Sequence, residues 1–226
     1  MDVLVISYRF ELPAGQVQVY DLKFDRQTMK MINENPSQVD WVRLDSKKCS
    51  HCPLNSKDSP YCPIAQNLHG VAAHFANDKS VVETKIQVTT GDRTYSKIAS
   101  LQEGLQGIFG LIMATSGCPH MEFLKPMARF HMPFSSDIET MVRTTSLYLL
   151  RQYFNLKDGK PADFLLKGLE ANYANVALVN QGIVERIRGM SVGDADRNAL
   201  VLLDCFSSMI SMEMSGDMGD VRQAME

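Results

Sequence analysis

Cysteines 49, 52 and 62 fall within one short run, KCSHCPL…YCPI, and a fourth, Cys118, follows much later in the chain. Cys49 and Cys52 have the C-x2-C spacing that lets two sulfurs curl round one ion in a tight knuckle. Cys52, Cys62 and Cys118 are each followed at once by proline. Proline lacks an N–H and has a fixed φ, so it suits the first position of a helix. A cysteine just ahead of it then becomes the N-cap. Its sulfur sits beside free backbone N–H groups and the positive end of the helix dipole, which favours the thiolate. The stripe Ile64, Leu68, Val71, Ala72 and Phe75 predicts such a helix after Cys62. A short turn over Pro119–Leu124 is expected after Cys118. The chemistry these residues point to is metal binding: a tetrahedral site of Cys49, Cys52, Cys62 and Cys118, with His51 or His120 as substitutes for the last ligand. Zinc is the default ion for thiolate-rich structural sites, and an iron–sulfur cluster is the rival, because Cys-Pro pairs occur among cluster ligands. Unligated thiols, a reversible Cys49–Cys52 disulfide and an axial haem thiolate are the other readings of the same residues.

A second constellation lies in residues 115–137, which collect His120, Lys125, Arg129 and His131 ahead of a helix start at Ser136. Free N–H groups at Ser136 and Asp137, with Arg129 and His131, would form an anion pocket. A catalytic version has Cys118 as nucleophile, His120 or His131 as base, and Arg129 holding an acidic substrate. No triad order or nucleophile-elbow motif accompanies it, and solvated or helix-paired basic side chains are the plainer alternative. His69 and His74, five positions apart on one helix, lie on opposite flanks of its apolar stripe and cannot chelate one ion together. Cys205, among Val201, Leu202, Leu203 and Phe206, is expected in the core. Met209, Met212, Met214 and Met218 suggest an adaptable contact surface on the last helix, with Cu(I) binding as the rarer use of thioethers.

Composition limits the functional classes. The 226 residues are 45% hydrophobic and 22% charged, with a net charge of −3. That balance argues against a general nucleic-acid or anionic-membrane binder. No run of 18 apolar residues is present, so no transmembrane helix is expected. The opening MDVLVISYRFEL carries Arg9 and Glu11 where a signal peptide stays apolar, so a cytoplasmic protein is expected. Reducing conditions there keep thiols unpaired, and clustered thiols are then more often ligands or redox groups than structural disulfides.

The elements that must position these residues follow from periodicity. Residues 3–12 and 18–24 alternate apolar and polar around Pro13-Ala14-Gly15, which predicts a hairpin. Val82, Ile86 and Val88 predict a further strand, turned back at residues 90–92 into 93–98, and residues 40–44 suggest one more. Ser100 with Glu103, and Ser136 with Glu139, are capping boxes that open helices over 100–116 and 136–154. Pro161 is placed as a first helical position of a helix running to about Arg188. Gly193-Asp194 restarts the chain into a helix over 199–212, with a frayed tail after it. Gly104, Gly107 and Gly110 recur within a predicted helix, each unfavourable by roughly 1 kcal/mol against alanine, so close packing of another backbone is expected there. The fold class is α+β: a small N-terminal antiparallel sheet with an inserted helix (1–99), then a C-terminal helical bundle (100–226), as two regions or one compact domain.

The segments CPL…YCPIAQNL and MATSGCPHMEFLKPMARFHMPF are similar to stretches in uncharacterised bacterial proteins of comparable length. That resemblance implies a bacterial origin and adds no functional residue. The expectation from sequence is a cytoplasmic metal-binding protein, structural or regulatory, whose C-terminal helices contact a partner or a second copy. The alternative is a thiol-dependent enzyme or redox sensor using Cys118.

Overall fold

Strict alternation through β1 (Val3–Glu11) turns Ile6, Tyr8 and Phe10 to one face, where all three are buried, and leaves Val3 and Val5 exposed on the other. β1 pairs antiparallel with β2 (Val17–Asp25), Tyr8 opposite Tyr20, across a 3-10 turn at Pro13–Gly15. Its other edge takes β4 (Glu83–Thr90), which hairpins into β5 (Arg93–Ser100). With the short β3 (Met31–Ile32), the antiparallel sheet has the order β3-β2-β1-β4-β5. The computed structural model describes residues 2–91, 93–188, 193–216 and 218–226, with Ala14, Met214 and Ser215 described by backbone alone.

The inserted helix is α1 (Pro63–His74), and after the sheet the chain is helical: α2 (Leu101–Thr115), α3 (Lys125–Arg129), α4 (Asp137–Lys157), α5 (Lys167–Ile187), α6 (Ala195–Ser215) and α7 (Gly219–Met225). The fold is α+β, as the periodicity predicts. Both capping boxes form: Glu103 accepts from the Ser100 N–H at 3.1 Å, and Glu139 from the Ser136 N–H at 2.7 Å. α2 lies on the buried face of the sheet. A Cβ at Gly104 would stand 2.6 Å from Ile86 Cδ1 and 2.7 Å from Phe10 Cε1, and one at Gly107 would stand 3.0 Å from the Tyr8 hydroxyl. Gly104 and Gly107 therefore receive sheet side chains and Gly110 meets Leu203 of α6, in no case another backbone. One hydrophobic cluster runs from Tyr8, Phe10 and Phe24 through Phe75 and Phe109 to Ile183 and Leu200.

Several expectations are corrected. Residues 40–44 form a 3-10 turn (Asp40–Val42) and an isolated bridge from Arg43 to Tyr61. Pro161 lies in a non-helical stretch, and α5 starts only at Lys167, after Leu166 with φ +63°. α6 begins a turn earlier than expected, and the tail carries α7 packed near α4. Cys205 is exposed, because it falls on the face of α6 opposite Leu200 and Ile210. Among the described residues, no helix is long and apolar enough to cross a membrane.

Candidate functional site

The cysteine loop is closed at its base by the backbone. The Cys62 N–H donates to Val42 O at 2.8 Å and the Leu44 N–H to Pro60 O at 2.9 Å, so residues 43–62 leave and return at one place. Within the loop the Cys52 N–H donates to Cys49 O at 3.1 Å, the tight turn that C-x2-C spacing predicts. Cys62 is the N-cap of α1 with Pro63 following, and Cys118 is the N-cap of the 3-10 turn Pro119–Leu124 with Pro119 following. The proline rule therefore places both sulfurs at helical starts.

α5 forms the wall against which this loop rests. A Cβ at Gly182 would stand 2.5 Å from the Cys49 Sγ, so only glycine leaves room for that thiol. One turn on, Arg186 is 3% exposed. Its Nη1 donates to Trp41 O and Arg43 O, and its Nη2 to Leu44 O, each at 2.8 Å. Its Nε is buried without a hydrogen-bond partner. Among the described residues no carboxylate pairs with this guanidinium; the ionisable groups on which its charge acts are the thiols of Cys49 and Cys62.

Two histidines join the distant segments. His51 Nε2 lies 3.1 Å from Asn175 O, and His120 Nε2 lies 3.0 Å from His51 O. A carbonyl can only accept, so each ring donates from Nε2–H, and the neutral His51, its pKa lowered by burial and by His120, presents Nδ1 as a lone pair. The rings stack with centroids 4.1 Å apart. His51 Nδ1 is buried with no hydrogen-bond partner.

The four sulfurs share one electrostatic neighbourhood. Burial pushes the Cys49 thiol up, and Cys62 and Cys52 push it further, against the pull of Arg186. Burial likewise raises Cys62 despite Arg186 and the N–H groups of Ala65 and Ile64. Cys118 is pushed up to about 12 by burial, against the His120 N–H, with Cys62, Cys49 and Cys52 adding to the rise. The expectation that helix starts would favour the thiolate is thus corrected for the bare thiols. Desolvation outweighs the dipole, and a nearby cation is needed to deprotonate them. With the side chains as they stand, no group of three or more His, Cys, Asp or Glu among the described residues could hold a metal ion.

The remaining predicted residues lie elsewhere. Arg129 donates to Arg26 O and Gln27 O, each at 2.7 Å, and so clamps the turn after β2. His131 sits 2.6 Å from the Tyr8 hydroxyl, its pKa pulled down to about 4 by burial and then by Arg143. Only His120, of the three partners considered for Cys118, stands with the cysteines. The expected anion pocket is not assembled, since Glu139 already accepts the Ser136 N–H. His69 accepts from Trp41 Nε1 at 3.1 Å, and His74 packs edge-on against Tyr20.

Sequence reasoning missed Asn175, Gly182 and Arg186, which share one face of α5. The available signal was a charge inside an apolar run, Ile183-Val184-Glu185-Arg186-Ile187. Residues 6–226 match a family described as a domain of unknown function (DUF6901). No curated protein and no solved structure matches the chain.

Proposed function

The chain belongs to the DUF6901 family, and from its geometry we propose that it is a cytoplasmic metal-binding protein. In this reading Cys49, Cys52, Cys62 and Cys118 hold one zinc ion in a structural or regulatory role. The observation that carries the reading is Arg186. A buried guanidinium without a counter-anion is unfavourable unless negative charge comes to it. The groups within its reach that can supply that charge are thiols, and a cation that deprotonates four of them makes a complex of net negative charge. Arg186 would then offset part of that charge from outside the ligand set, while its own bonds to three carbonyls fix the loop.

The donor set fits. Two sulfurs come from one tight turn, one from the start of α1 and one from the segment that His120 ties to the loop. The lone pair on His51 Nδ1, buried and without a partner, offers a nitrogen should one sulfur stay outside. Such a metal would pin the cysteine loop to the start of α1 and to the segment after α2.

Metal analysis and an absorption spectrum of anaerobically purified full-length protein test this. About one zinc per chain without a visible band is the expected result, lost in Cys62→Ser. A brown protein with visible absorption would replace zinc by an iron–sulfur cluster on the same thiolates. Metal-free protein that takes up no zinc, and whose Cys118 alkylates rapidly near neutral pH, would overturn the reading in favour of a thiol enzyme or redox sensor.

A further inference from the structure

A cavity of about 250 Å³ opens between α2, α5, α6 and the segment 121–143. Since a cavity of about 150 Å³ accepts benzene, this one has room for roughly ten non-hydrogen atoms. Its walls are apolar and adaptable: Met113, Met121, Met127 and Met132 line it with Leu203 and Phe206. Gly110 leaves its floor on α2 open, its Cβ position meeting only Leu203 Cδ2, at 3.5 Å. Polar side chains, among them Gln106, Thr140, Arg143 and Asn180, share the lining, so the site offers partners to an apolar body and to a polar head.

Among the described residues two cations line the cavity: Lys97, which pairs with Glu103, and Arg143. Nη1 donates to Ser135 Oγ at 3.2 Å, and Nη2 to Phe130 O at 2.8 Å and Met127 O at 3.4 Å. All three acceptors are neutral. Among the described residues no carboxylate forms an ion pair with Arg143, and two of a guanidinium's five N–H donors remain for a ligand. Glu139, one turn back on α4, acts on Arg143 through its charge but makes no ion pair with it, its carboxylate accepting the Ser136 N–H. Glu103 pairs with Lys97 at 3.1 Å, and Asp137 is exposed on the first turn of α4, where the helix N-terminus already favours it. His131, which also lines the cavity, is uncharged at neutral pH and held by Tyr8.

We propose that this cavity binds a small amphipathic carboxylate, its apolar body among the methionines and its carboxylate on Arg143. One guanidinium beside an apolar volume matches one carboxylate; a phosphate group, with more charge and more acceptors, would want several donors. The site is independent of the cysteine cluster and stands or falls without it.

Octanoate is the probe, titrated by calorimetry and by thermal shift into the full chain, with octanol and octylamine as comparators. Saturable octanoate binding with a rise in Tm is expected, with octanol and octylamine at least about tenfold weaker. Arg143→Gln should bring octanoate down to the level of octanol. Gly110→Leu, which fills the cavity and leaves Arg143 in place, should abolish binding of both while the helical circular dichroism is unchanged. The proposal is overturned if octanoate does not saturate, if octanol or octylamine binds as well as octanoate, or if Arg143→Gln retains full affinity. If Arg143→Gln fails to fold, Gly110→Leu decides alone: undiminished octanoate binding there places the ligand elsewhere and overturns the proposal.

Discussion

The ring of His120 lies on the ring of His51, centroids 4.1 Å apart, while its Nε2–H donates to the His51 carbonyl at 3.0 Å. Sixty-nine positions separate them in sequence, and this one contact brings the Cys118 segment to the loop that carries Cys49 and Cys52. Burial and the neighbouring His120 ring both hold the His51 pKa below its ordinary value. Protonating both would set two cations face to face.

Cysteine reactivity in the metal-free protein should follow burial rather than position beside a helix start. Cys205 is exposed, whereas Cys118 is buried with its pKa near 12, so its thiolate fraction at pH 7.5 is on the order of 10⁻⁴ to 10⁻⁵. With chelator present, iodoacetamide should label Cys205 first and Cys118 last, by at least about a hundredfold. Peptide mass mapping over time reads the order directly. Equal rates at the two positions would contradict the buried placement of Cys118.

Arg186 should be among the least replaceable side chains. Arg186→Met removes the hydrogen bonds to Trp41 O, Arg43 O and Leu44 O, the last of them buried, and should lower stability by about 3–5 kcal/mol in urea unfolding. Arg186→Lys keeps the charge but loses the planar fork that spans Trp41 O, Arg43 O and Leu44 O, and should recover less than half of that loss. A Met variant within about 1 kcal/mol of the parent would show that these bonds contribute little.

Two glycines in α2 should respond with opposite sign. Gly110→Ala meets only Leu203 at ordinary contact distance and gains helix propensity, so it should stabilise by about 0.5–1 kcal/mol. Gly104→Ala drives a methyl into Ile86 and Phe10 in a closed core and should destabilise by about 1–3 kcal/mol. Urea midpoints that move in the same direction for both would refute the close approach of α2 to the sheet.

Local signals carried most of the fold. Period-2 alternation located β1, β2 and β4, the turn at 90–92 located β5, and Ser-x-x-Glu located the starts of α2 and α4, because each depends on residues within one turn or one strand. Pro161 misled because proline suits a helix start and a loop equally, and only Leu166 at positive φ marks where α5 begins. Cys205 misled because neighbours in sequence on a helix point to different faces. At the candidate site, the helix-start geometry of Cys62 and Cys118 was legible from Cys-Pro alone. The burial that reverses its effect on the thiols was not, since desolvation comes from α5 and the core. Arg186 and Gly182 were illegible for the same reason: their role is set by a loop more than a hundred positions upstream.

Acid should weaken the fold through histidine before it does so through carboxylates. His131 has a folded-state pKa of about 4 against an ordinary value near 6.5. Between these values the unfolded chain binds more protons than the folded one, so stability rises with pH across the window. It is fully present above about pH 6.5, falls by about 2 kcal/mol at pH 5, and by on the order of 3 kcal/mol below pH 4. His51, lowered by burial and by His120, adds a loss of the same sign. Glu103 and Glu139 also have lowered values, through Ser100, Lys97 and Ser136, but their contribution is lost only as the pH drops below the ordinary carboxylate range. Urea unfolding at pH 7, 6, 5 and 4 should therefore show a steep fall beginning near 6.5. His131→Gln, which can still accept from the Tyr8 hydroxyl, should flatten most of that slope. A parent profile that stays level from pH 7 to 5 would mean that the imidazole protonates in place, and that its burial against Tyr8 is not what the structure implies.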